Sequence, residues 1–156
     1  MFEFLPDVGL RLPGRAGVLR LGMDERAAQR AVATVADVRE GWVCGAGWTF
    51  TARYEGLTLH AHGDTWDRHG RHEDVSGLAG IGLTRPPGTP DAGAGGCPVV
   101  LRGIDLFGYP AAEVLEALGS TVPPTLRLRA DGEGRFLTTA SLHAPAPLGD
   151  SASRPA

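Results

Sequence analysis

The densest group of side chains able to do chemistry lies between His60 and Asp74. It holds His60, His62, His69 and His72, four of the five histidines in the chain, together with Asp64, Asp67, Glu73 and Asp74. His60 and His62 stand two residues apart. On a β-strand that spacing puts both imidazoles on one face, as two ligands of a single metal ion require. Asp64, His69 or His72 could complete a site for zinc or another divalent cation. The carboxylates of the same stretch could pair as acid and base. The competing reading is a solvated strand face that runs into a charged recognition loop. Trp66 favours it. An aromatic ring among Asp67, Arg68, His69, Arg71, His72 and Glu73 has the composition of an interface anchor.

Other chemistry is thinly represented. Cys44 sits in a glycine-rich stretch, GWVCGAGW, where a thiol nucleophile or a buried thiol would both fit. Cys97 is far from it in sequence, and a bridge would need the two Cα atoms within about 7 Å. Neither cysteine has metal-ligand spacing, and free thiols are the expectation in a reducing compartment. The serine-hydrolase, zinc-protease, phosphate-loop and dinucleotide signatures do not occur. The GAGG at Gly93–Gly96 precedes a strand pattern, so it offers no helix N-terminus to a phosphate. All 15 basic residues are arginine. Without lysine there is no Schiff-base chemistry, no phosphate-loop lysine and no lysine base. Abundant Gly, Ala, Arg and Pro, with no Lys or Asn, is the signature of a GC-rich bacterial genome. The net charge of −3 lacks the basic excess of a dedicated nucleic-acid binder.

These side chains need a scaffold, and the periodicity supplies one. Val18–Leu21 reads as a strand, Gly22 as a turn and Asp24 as a helix N-cap. Apolar residues at 27, 28, 31, 32, 35 and 38 predict an amphipathic helix from Glu25 to Val38, stopped by Gly41. From Trp48 the period becomes two. Trp48–Tyr54 and Leu57–His62 form a hairpin about Glu55-Gly56, with His60 and His62 pointing outward. Another strand follows at Gly80–Leu83. Pro98–Phe107 reads as one strand with a bulge at Gly103. Pro110 starts a short helix over Ala111–Leu118, capped by Gly119. Leu126–Ala130 and Phe136–His143 form a last hairpin. Arg127 and Arg129 line its outer side, where lysine more often guards an edge.

This order divides the 156 residues into an extended lead-in (1–16), a strand–helix–hairpin half (17–83), a Pro/Gly-rich linker (84–97), a second such half (98–143) and a disordered tail (144–156). VLRLGMDERAAQRAV in the first half aligns with IDLFGYPAAEVLEAL in the second. The phrase Leu21-Gly22-Met23-Asp24 at a helix start resembles the opening shared by β-lactamase-inhibitor-like proteins and small outer-membrane assembly lipoproteins. The likeness covers residues 18–36 and, more weakly, 104–119. Asp24 replaces the usual hydroxyl residue, Ala28 stands at the acidic position, and Tyr109 stands opposite Met23. The resemblance implies tandem helix-plus-sheet repeats and binding without catalysis. In general character the chain is also similar to bacterial immunity-type proteins.

The expectation is therefore an α+β domain, with two helices on one face of a mostly antiparallel sheet built from two related halves. Its expected function is non-enzymatic binding of a partner protein through the 64–74 loop, with no cofactor. The alternatives are a metal-binding protein or metal-dependent enzyme using His60, His62 and Asp64, and a small-molecule binder. No leader pattern or membrane-length apolar run is present, so a cytoplasmic protein with neither membrane nor nucleic-acid partner is expected. If the metal reading holds, protein purified without a tag carries stoichiometric divalent metal by elemental analysis. The double variant His60→Ala/His62→Ala then loses it.

Overall fold

Period-two alternation dominates the chain, and the described residues form eleven strands and two α-helices. The structure is a computed structural model that describes residues 1–41, 47–63, 77–86 and 96–145. The first three strands, β1 (Phe2–Leu5), β2 (Gly9–Arg11) and β3 (Val18–Arg20), make an antiparallel meander. After α1 (Glu25–Ala33) come β4 (Val38–Gly41), β5 (Trp48–Tyr54), β6 (Leu57–Gly63) and β7 (Leu78–Thr84). Two short strands follow, β8 (Val99–Leu101) and β9 (Ile104–Asp105), then α2 (Ala111–Leu118), β10 (Leu126–Ala130) and β11 (Leu137–His143).

The α+β class is as expected, but the strands divide between two sheets rather than one. The five-stranded sheet has the order β3-β2-β1-β8-β9, and the six-stranded sheet has the order β10-β11-β7-β6-β5-β4. The helices also take different seats. α1 packs on β3, β4 and β5, and α2 packs on β9, so each helix adjoins one edge of the five-stranded sheet. Both sheets bury apolar residues in a single core. Phe2, Phe4, Leu10, Leu19 and Leu101 meet Phe50, Leu59, Ile81, Leu83 and Leu142 there. The Phe2 ring stands edge-on to Tyr54 of the other sheet, with centroids 5.5 Å apart.

Several local expectations change. Residues 2–12 of the extended lead-in hold two strands, neither of them at an edge of the sheet. β1 is the middle strand of its sheet, and Phe2, Phe4, Leu10 and Leu12 are buried. The first helix ends at Ala33 instead of Val38. Thr34 and Val35 close its last turn, and Val38 enters β4, where a β-branched side chain is favoured. Gly41 therefore ends a strand and stops no helix. The expected bulge at Gly103 is a hairpin turn: Arg102 and Gly103 have φ of 50° and 84°, the positive pair of a tight two-residue connection. Glu55-Gly56 makes the same turn with φ of 45° and 79°. Strand–helix–hairpin recurs in the chain order, but the first half gives one strand to the five-stranded sheet and the second gives two. That leaves a relation between the halves without structural confirmation.

Asp24 caps α1 as expected, its carboxylate accepting the Ala27 N–H at 2.9 Å. Gly119, with φ of 52°, ends α2. Asp105 holds the β8–β9 corner, accepting the N–H groups of Phe107 at 3.1 Å and Val99 at 3.4 Å. Arg85, past the end of β7, donates to the Phe107 carbonyl at 2.8 Å and lies over its ring, which ties the two sheets together. Because Phe4 is buried at the centre of β1, Phe4→Ala should cost about 3–5 kcal/mol in chemical denaturation. A lead-in segment outside the core would lose less than about 1 kcal/mol.

Candidate functional site on the outer sheet face

Alternation gives the six-stranded sheet one core face and one outer face. On β6, Leu57, Leu59 and Ala61 are buried while His60 and His62 are exposed, as the sequence pattern predicts. The pairing register then assembles the outer face row by row. One row runs Thr49, His62, Gly80, His143 across β5, β6, β7 and β11. The next runs Arg39, Thr51, His60, Gly82, Ser141, Arg127 from β4 to β10. The third runs Arg53, Thr58, Thr84, Thr139, Arg129. These rows contain no carboxylate. Asp37, just before β4, contributes one at the rim, where it lines a depression of about 190 Å³ with Arg39, Thr51 and Arg53.

The partner of His62 on this face is His143, which the sequence analysis did not single out. Gly80 lies between them in the register and has no side chain. A Cβ there would stand 2.2 Å from Cε1 of His62, so the glycine is what lets that ring lie across β7. The two imidazole centroids are 5.9 Å apart, with the planes tilted by 53°. His143 Nε2 is 3.3 Å from the Ser141 hydroxyl. A signal for this arrangement is present in the sequence: Gly80 and Gly82 alternate within one strand, and glycine in a strand interior marks a close approach.

Electrostatics distinguishes these histidines. Desolvation by the surrounding sheet pushes the pKa of His60 below its ordinary 6.5. His143 is pushed the same way, first by desolvation and then by the charges of His62 and Arg127. Among the described residues, no three His, Cys, Asp or Glu side chains converge to hold a metal ion. Asp64, Trp66, Asp67, Arg68, His69, Arg71, His72 and Glu73 lie outside the described residues, as does Cys44. Cys97 is a buried free thiol. Trp48 and Tyr54 are partly buried against the core. A second depression, of about 280 Å³, lies between β9 and α2, lined by Ile104, Asp105, Tyr109, Glu113 and Val114 among others.

Comparison with protein-family models, curated proteins and solved structures finds no match.

The lowered histidine pKa values fix the sign of a pH effect. Just below pH 6.5 the unfolded chain binds protons that the folded chain resists, so stability rises with pH through that window. The contribution is fully present above 6.5 and is lost as pH falls through the lower folded values. Proton NMR titration of the imidazole Cε1–H signals should place His60 and His143 below 6.5. A midpoint at or above 6.5 for both would refute the assignment.

Proposed function

We propose that this protein is a non-enzymatic protein-binding module of the immunity or inhibitor kind, and that it receives an acidic partner surface on the outer face of the six-stranded sheet. The observation that carries this reading is the set of four arginines on that face, Arg39, Arg53, Arg127 and Arg129. Among the described residues the ion pairs are Arg11–Glu3 and Arg135–Glu133, so all four guanidinium groups are without a carboxylate partner. A guanidinium presents a rigid fork of donors that matches a carboxylate in two parallel hydrogen bonds. Spread over several strands, such groups recognise a surface and also steer a negatively charged partner toward it.

The recognition loop expected at 64–74 belongs to the same proposal. In sequence it follows directly on His62 and Gly63, and its residues lie outside the described ones. Trp66, Asp67, Arg68, His69, Arg71, His72 and Glu73 are therefore proposed contacts of the same partner. A second reading, metal binding, draws on the approach of His62 to His143, since neutral imidazoles are ligands for zinc and related cations.

The test compares immobilised wild-type chain with the charge-reversed variant Arg39→Glu/Arg53→Glu/Arg127→Glu/Arg129→Glu in lysate of the source organism. The variant must first show an unchanged circular dichroism spectrum. The expected result is a defined acidic protein that binds wild type, is released as salt rises above about 0.3 M, and is lost with the variant. Equal capture by both chains overturns the proposal.

A further inference from the structure

We infer that the cleft between β9 and α2 is a binding site for an organic cation, an ammonium or guanidinium group carried on an apolar stem. This goes beyond the proposed function and does not rest on it, since no residue from the outer rows of the six-stranded sheet lines the cleft.

β9 is the outermost strand of the five-stranded sheet, and α2 packs on it. Small residues stand on both sides of that contact, Gly103 in the β8–β9 turn and Ala117 on the helix, and the space they leave is a cavity of about 280 Å³. Small-molecule sites span roughly 300–1,000 Å³, so this one takes a single group of amino-acid size. Ile104 and Val114 give it an apolar wall, and Tyr109 adds an aromatic ring that is 57% exposed. The backbone that carries this ring is tied down. Pro110, the next residue, bridges to Phe136, and the Ala111 N–H donates to the Arg135 carbonyl at 2.8 Å. An exposed ring in a fixed position offers its face to a cation.

Charge fixes the sign of the ligand. The charged residues that line the cavity, Asp105 and Glu113, are both acids. Arg102 and Arg135 stand nearby in the turn and the bridge but do not line it, and Arg135 pairs with Glu133. Asp105 is held rigidly, its Oδ1 accepting the N–H groups of Phe107 at 3.1 Å and Val99 at 3.4 Å. Its Oδ2 stands where Gly108 leaves room, since a Cβ there would be 2.6 Å away. One oxygen thus serves the fold, and the other has no hydrogen-bond partner among the described residues. Glu113 and Ala117 lie one turn apart on one face of α2, so the second carboxylate stands beside the space that Ala117 leaves. An apolar stem meets Ile104, Val114 and the Tyr109 ring, while its cationic head gains charge-assisted hydrogen bonds to the carboxylates. A neutral ligand would desolvate those carboxylates without pairing them, and an anion would be repelled.

The experiment titrates the full chain at constant ionic strength with n-butylammonium, n-butylguanidinium and N-acetylarginine methylamide, and with n-pentanol, pentanoate and ammonium chloride as controls. NMR follows the Tyr109 ring signals and the backbone N–H signals of Gly103 and Ala117. The expected result is a shift of all three residues that saturates below about 20 mM with the stem-bearing cations. Binding should be about tenfold tighter than for n-pentanol, as hydrogen bonds to charged groups require. Glu113→Gln should weaken it by about tenfold. Ala117→Leu, a good helix former that fills the space, should abolish it. Glu116→Gln, on the same helix but outside the lining, should leave it unchanged. Each variant must keep the wild-type circular dichroism spectrum, and Asp105 is left intact because it holds the β8–β9 corner. Tighter binding of the blocked arginine than of the butyl cations assigns the cleft to a side chain of a protein partner. The reverse order assigns it to a free small molecule. Equal response to n-pentanol or pentanoate overturns the inference, as do equal shifts from ammonium chloride, which has no stem. Wild-type binding by both Glu113→Gln and Ala117→Leu overturns it as well.

Discussion

The parallel pairing of β1 with β8 sets Phe2 beside Val99 and Phe4 beside Leu101, and the Phe2 N–H donates to the Pro98 carbonyl at 2.9 Å. Parallel neighbours need a long connection, and here it carries β4–β7, four of the six strands of the second sheet. This contact joins the N-terminal meander to the β8–β9 hairpin as one five-stranded layer. That layer, with α1 over β4 and β5, covers the apolar face of the six-stranded sheet. Phe2 shows the consequence directly, since its ring belongs to one sheet and packs on Tyr54 of the other. Once the inner face is fixed, strict alternation fixes the outer one. A shift of one residue in β6 would bury His60 and His62 and expose Leu59 and Ala61, so the core enforces the register of the outer face.

That face has no local motif. His62, Gly80 and His143 come from three strands, and the strand order β11-β7-β6 inserts β7 between strands that carry the two histidines. The inserted strand is the one that reads Leu-Ala-Gly-Ile-Gly-Leu-Thr. Its core side keeps Ile81 and Leu83, while its outer side is stripped at Gly80 and Gly82. Glycine at these two positions weakens a strand, because it adds backbone entropy in the unfolded chain and packs nothing. The flanking strands offset that cost with paired antiparallel neighbours on both sides.

What the sequence made legible follows from which interactions are local. The Trp48–Tyr54 and Leu57–His62 hairpin could be read because alternation and the Glu55-Gly56 turn lie within one short window. The outward aspect of His60 and His62 followed from the same alternation, and the Asp24 cap and the Gly119 stop are set by their own neighbours. The central place of β1 could not be read this way. Phe2-Glu3-Phe4-Leu5 is short, and its parallel partner Val99–Leu101 lies beyond β7 in the chain. Apolar residues close on both sides make Gly103 look like a bulge, although the turn chemistry of Arg102-Gly103 matches that of Glu55-Gly56. Val35 and Val38 continue the helical spacing past the helix end at Ala33, although their β-branched side chains favour a strand. His143, a lone histidine at a strand end, gains meaning only through its cross-sheet neighbours.

Net charge hides the polarity of the molecule, and the placement of the carboxylates explains how. The chain sums to −3, yet many described acids are occupied with structure. Asp24 caps α1, Asp105 binds two backbone N–H groups, Asp131 accepts the Arg135 N–H at 2.8 Å, and Glu25 and Glu40 both take the Gln29 side-chain amide at 3.2 Å. Glu3 and Glu133 hold Arg11 and Arg135. None of these groups lies in the three outer rows, and among the described residues only Asp37, at the rim beside Arg39 and Arg53, brings a carboxylate to the arginines there. A negative balance over the whole chain therefore coexists, among the described residues, with one sheet face on which arginines outnumber carboxylates. With arginine in every basic position, that face keeps its charge and its paired donors at any pH the folded protein meets, while the histidines beside it are the groups that titrate.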